Sequence, residues 1–176
     1  MFISEQKKSE SIAEYLLYMW QLEDLLRAFE LDIEKVQKGL IDTTNYSAEK
    51  KKEARQWYMN LIEQMRAEGI EKTGHLDSNE KLLKDINLVH NQLVKNSNET
   101  EYIETYYNTL PFILELRQKN NNENISEIEL CFTALYGYML LKLQKREISS
   151  ETASAISQIS HLIRILSEKY KTLSGN

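Results

Sequence analysis

The chain of 176 residues carries 27 acidic against 22 basic side chains, a net charge of −5, with one cysteine, one proline and five glycines. That length suits one domain, residues 1–176, with a sizeable core, and so few breakers leave little room for a strand-and-turn architecture. The acidic balance speaks against a general nucleic-acid binder, which presents a basic face to phosphate, and the lone Cys131 has no second thiol in the chain to pair with.

The opening "MFISEQKKSES" places no apolar stretch behind its lysines and does not read as a secretory signal. A first helix is predicted from a cap at Ser9 or Ser11 to about Glu30, and Asp32 restarts a short one, "IEKVQKGL", before Gly39. Asn45 to Ser47 opens the next helix, about Ala48 to Glu68. It sets Ala54, Trp57, Tyr58, Leu61, Ile62 and Met65 at three- and four-residue spacings and stops at Gly69. Asp77 with Glu80 resembles a capping box, and Asn98 with Glu101 repeats the arrangement before "YIETYYNTL".

Pro111 lacks an N–H and its ring clashes with the preceding turn, so a kink or break is expected near Thr109, with the helix resuming through Arg117. After the polar loop "QKNNNEN", Ser126 and Glu129 form a capping box with Ile125 and Leu130 as its hydrophobic staple. The run "LCFTALYGYMLL", Leu130 to Leu141, falls short of the roughly 20 residues that a membrane span needs. It predicts a central helix buried on most sides, in which Gly137 lets another helix backbone approach. The last helix, about Glu151 to Thr172, has a heptad seam of Ile156, Ile159, Ile163, Leu166, Tyr170 and Leu173, read as an internal contact in preference to a dimer interface. No strand-period segment or internal repeat stands out. The fold class is all-α, a single-domain helical bundle of roughly six to seven helices.

The segments "EYLLYMWQLEDLLRAF", "WYMNLIEQMR", "GHL" and "CFTALYGYMLLKLQKREIS" together resemble a bacterial family of all-helical proteins of about this whole length, classed as a domain of unknown function. The resemblance implies a helical fold and brings no activity, substrate or catalytic residue.

On a helical wheel, Glu10, Glu14, Gln21 and Asp24 share a polar stripe, whereas Glu23 falls among Ile12, Leu16, Met19 and Leu26. Arg27, one turn on, is the expected partner of Glu23 in a partly buried ion pair. The alternative makes Trp20, Glu23 and Arg27, with Trp57 or Tyr58, the lining of a ligand pocket. His75 follows Gly74 in the loop "EGIEKTGHL", where backbone freedom suits a functional side chain, although a capping or loop-packing role is preferred.

Other chemistry finds little support. No Glu-x-x-His occurs for a di-iron bundle, and Glu101 with Glu104 has no matching Glu-x-x-Asp for magnesium. His161 lies opposite its apolar seam and His90 on the flank of the Leu82, Ile86, Val89 and Leu93 stripe, which argues against a triad with His75. Cys131 sits in the most apolar run and reads as an inert thiol, and Lys50, Lys51 and Lys52 read as a solvated helix start. No metal or other cofactor and no catalytic motif is expected, nor a nucleic-acid or membrane partner. The functional expectation is a cytoplasmic protein-interaction or scaffold module, with a homodimer in view; the runner-up is a small-ligand-binding or enzymatic bundle with its pocket near Trp20, Glu23 and Arg27.

Overall fold

Eight α-helices and no strand are formed by the described residues, 2–120 and 124–174, of the computed structural model. They are α1 (Phe2–Glu10), α2 (Ile12–Ala28), α3 (Ile33–Val36), α4 (Ala48–Ala67), α5 (Asp77–Lys95), α6 (Thr100–Lys119), α7 (Glu127–Leu143) and α8 (Ser150–Ser174), with a π-helical turn over Gln37–Ile41. The all-α expectation holds. The count exceeds six to seven because the segment ahead of Ser11 is a helix of its own, where one helix from Ser9 or Ser11 was expected. Part of the polar loop "QKNNNEN", residues 121–123, lies outside the described residues.

Local side-chain chemistry accounts for most boundaries. Asp32 caps α3 by accepting from the Glu34 and Lys35 amides, Ser47 caps α4 by accepting from Lys50, and Ser126 caps α7 by accepting from Glu129 at 3.1 Å. Gly69, at φ +70°, ends α4, with the Ile70 amide reaching back to the Met65 carbonyl. The box expected at Asn98 is absent: Glu99 stands at the N-cap of α6 and makes no capping bond, while Asn96 takes the Asn98 amide. The short helix does not stop before Gly39 but runs on as the π turn, and a Cβ on Gly39 would lie 2.5 Å from the Phe29 ring. Glycine is what lets that ring close over the turn.

Of the kink or break expected near Pro111, the break does not occur; α6 continues through Pro111 to Lys119. Pro111 is exposed, and so is Tyr107, whose carbonyl loses its helical donor to the proline. The opposite face, Tyr102, Thr105, Thr109 and Ile113, is buried and holds the helix in place, with the Thr109 hydroxyl returned to the Thr105 carbonyl at 2.7 Å.

The described residues group into two compact units, Met1–Glu10 with Glu14–Lys81, and Ser11–Ala13 with Leu82–Asn176. In the first, Met19, Leu22 and Leu26 of α2 share a core with Leu31, Val36 and Ile41 and with Ala54, Leu61, Ile62 and Met65 of α4. In the second, α6, α7 and α8 pack on one another, burying Tyr102 and Ile113, Ile128 and Phe132, and Ile159, Leu162, Ile163 and Leu166. The α8 seam is therefore internal from Ile159 to Leu166. Leu173, at its end, is exposed.

α7 departs from its expected role. Its first half buries Ile128, Leu130, Cys131 and Phe132, but from Ala134 to Leu141 every residue is only partly covered, and Leu143 is 62 % exposed. Apart from its chain neighbours and its own helix backbone, no atom of the described residues lies within 4 Å of a Cβ built on Gly137, so the helix approach that this glycine was expected to admit is not made among them. No helix among the described residues is long and apolar enough to cross a membrane.

Candidate functional site

The first unit gathers three of the six residues singled out from sequence, Trp20, Glu23 and His75, at one place. Glu23 is 1 % exposed, and α2 aims its carboxylate at the segment that leads into α5. One oxygen, Oε1, accepts the Leu76 amide at 3.1 Å and the Asn79 side-chain amide at 2.7 Å. The other, Oε2, lies 2.6 Å from His75 Nδ1. Since an ionised carboxylate can only accept, Nδ1 is the donor of this bond, and Nε2 is the ring nitrogen left outside it. The His75 ring stacks on Trp20, with centroids 4.2 Å apart and planes 12° apart.

Arg27 corrects the expected ion pair. Its guanidinium pairs with Asp24 at 2.8 Å, and the rest of its fork donates to the Ile70 carbonyl at 3.1 and 3.2 Å and to the Gly74 carbonyl. The wheel placed Glu23 on the buried side correctly but could not choose between partners three and four residues away, and Asp24 at i,i+3 is as accessible to Arg27 as Glu23 at i,i+4. Glu23 turns instead toward donors more than 50 residues along the chain. Arg27 and Glu23 hold the two ends of one loop, and Glu68 fixes the entrance of α5 by accepting the Asp77 amide at 2.8 Å. The capping box expected from Asp77 and Glu80 is thus replaced by tertiary caps, which local spacing cannot reveal.

Trp57 and Tyr58 do not join this site. They form an edge-on pair on α4, 5.1 Å between centroids, packed on the core. Beside Glu23 runs a narrow crevice lined by Met19, Leu22, Leu26, Leu61, Met65 and Leu76, without room for a water molecule. Among the described residues no group of three or more His, Cys, Asp or Glu side chains is arranged to hold a metal ion.

The second unit contains a polar cluster that the sequence reading missed. His90, expected on a polar flank, is 4 % exposed; its Nδ1 lies 2.6 Å from the Tyr102 hydroxyl and its Nε2 lies 3.8 Å from Glu127. Tyr106 donates to the same Glu127 oxygen at 2.9 Å. Burial drives the Tyr102 phenol far above its ordinary range, and burial, then the bond to Glu127, pushes Tyr106 up to about 12. Burial likewise pushes the Cys131 thiol up to about 12, in keeping with an inert thiol. The signal available in sequence was the spacing of His90, Tyr102 and Tyr106 on neighbouring apolar helix faces.

Burial holds the His90 imidazole below its usual value of 6.5, against the opposing pull of Glu127. The unfolded chain therefore takes up this proton more readily, so stability rises with pH across the interval. The contribution is fully present above about 6.5, is lost as pH falls from there to the lowered folded value, and changes no further below it. Urea titrations at closely spaced pH values should show this loss in the native protein and a flatter profile in His90→Gln; parallel profiles would remove His90 as the cause.

A family model described as a domain of unknown function (DUF4924) matches residues 1–176. No curated protein and no solved structure matches the chain.

Proposed function

Because the chain belongs to that family, whose description assigns no activity, we propose from its surface that it is a protein-interaction module that docks through the C-terminal half of α7 onto a second copy of itself. The observation that carries this reading is the partial exposure of Leu135, Tyr136, Tyr138, Met139, Leu140 and Leu141 around an open Gly137. A helix apolar on all sides is stable in water when all its sides are covered, and here the covering is incomplete. The run Leu130–Leu141 bears no charge, in a chain of net charge −5. Two copies can therefore meet on this face without the like-charge repulsion that the rest of their surfaces would impose.

The proposed setting is cytoplasmic, on the strength of a single buried cysteine. An enclosed small-ligand site near Trp20, Glu23 and Arg27 is the weaker reading, because Glu23 already has its donors and the crevice beside it admits no water.

Gly137→Glu tests the proposal. With open space around its Cβ, this substitution should leave the monomer folded and improve helix propensity by about 0.5 to 1 kcal/mol, while placing a charge in the face. Light scattering across a concentration series should show self-association of the native protein and a monomeric variant with an unchanged helical spectrum. A native protein that stays monomeric at the highest soluble concentration would refute the homotypic reading.

A further inference from the structure

The loop before α5 carries a second, independent feature, a histidine fixed on three sides. Glu23 holds His75 Nδ1 at 2.6 Å, Trp20 covers one face of the ring, and Gly74, at φ +95°, turns the chain immediately before it. Arg27 fastens the loop by its Ile70 and Gly74 carbonyls. The His75 side chain is 32 % exposed whereas that of Glu23 is 2 % exposed, so the ring is within reach of solvent while the carboxylate that holds its Nδ1 is not. A loop-packing histidine needs one of these restraints; three fix the orientation of the ring and leave Nε2 as the nitrogen not engaged by Glu23.

We propose that His75 is a phosphoryl-accepting nucleophile, attacking small phosphoryl donors through Nε2 while the buried Glu23 carboxylate balances the charge that the ring acquires. The Nε2 lone pair forms the N–P bond, and the bond from phosphorus to the leaving group breaks with its electrons going to that group. With phosphoramidate as donor the leaving group is ammonia. The Nδ1 proton stays in its hydrogen bond to Glu23, and nothing is oxidised or reduced. The ring becomes a cation on gaining its second substituent, and the carboxylate 2.6 Å away is placed to stabilise that cation. The exposure of the ring decides the class of electrophile. An acyl-imidazole on an open loop would be lost to water quickly, whereas an N-phosphoryl group withstands neutral water, and a small donor needs no enclosing pocket.

The chain contains its own comparator. His161 is exposed on α8, and its Nδ1 lies 3.0 Å from the Arg164 guanidinium instead of a carboxylate. Native protein would be incubated with phosphoramidate at neutral pH, and the phosphoryl mass mapped to each histidine over time. His75 should be labelled about tenfold or more faster than His161, and Glu23→Gln should bring the His75 rate down toward that of His161 without changing the latter. Equal rates at His75 and His161 in the native protein would overturn the proposal, and so would a folded Glu23→Gln variant that labels at the native rate. If Glu23→Gln does not fold, the native comparison alone decides.

Discussion

Glu23→Ala should lower the free energy of unfolding by about 3 to 5 kcal/mol, more than removing an ordinary surface carboxylate by several-fold. The substitution deletes the acceptor of three donors: the Leu76 amide, the Asn79 side chain, itself 1 % exposed, and His75 Nδ1. A buried donor without an acceptor costs its full desolvation, and two of these donors sit at the entrance of α5, whose first amides have no partner within the helix. Adding Arg27→Met should not restore stability, because the guanidinium is paired with Asp24 and the loop carbonyls and the orphaned donors remain. Urea midpoints at an unchanged m-value check both statements. A loss below about 1 kcal/mol for Glu23→Ala would mean that water replaces the carboxylate, and hence that the site is more open than its geometry indicates.

The contrast between Glu23 and Ser126 explains what was legible in the sequence. Ser126 caps the amide of Glu129 three residues away, and Gly69 closes the turn that ends α4, so residue type and spacing contain the whole interaction. Glu23 depends on donors brought by a loop that its own helix does not encode. The wheel therefore identified the buried face but named the wrong partner. His75 was visible as a histidine beside a glycine, yet its stacking on Trp20 is a product of the folded loop. Trp57 and Tyr58 were attached to the site by residue type alone, and α4 turns them into a pair of their own.

The α7 result has a different cause. Composition predicts burial for an apolar helix, but composition is silent on whether the same chain supplies the cover. In its first half the neighbours α6 and α8 supply it, as the buried Ile128 and Phe132 attest; from Ala134 onward they do so only in part. Gly137 then changes meaning, from an internal contact to an unused one. His90 shows the opposite case: a residue expected on the polar flank of a stripe is buried, and the hydroxyl of Tyr102 makes that burial tolerable.

Ile163→Asp should unfold the second unit at room temperature, and Ile159→Asp should do the same. Both side chains lie in the α8 seam at 3 % and 1 % exposure. Each substitution removes a branched apolar group worth about 2 to 4 kcal/mol when its site cannot collapse, and adds a carboxylate that must either stay ionised without a partner or take up a proton. The sum, at least about 5 kcal/mol, is of the order of a small protein's whole stability. Leu173→Asp supplies the control within the same heptad pattern: that side chain is 59 % exposed, so its replacement should change stability by no more than about 0.5 kcal/mol. Circular dichroism and light scattering on the three variants separate the outcomes. Loss of helical signal in the two isoleucine variants, with Leu173→Asp unchanged, fits a seam that closes within one chain. A folded but dissociated Ile163→Asp would instead make this part of α8 an interface between copies, and would move the docking surface from α7 to α8.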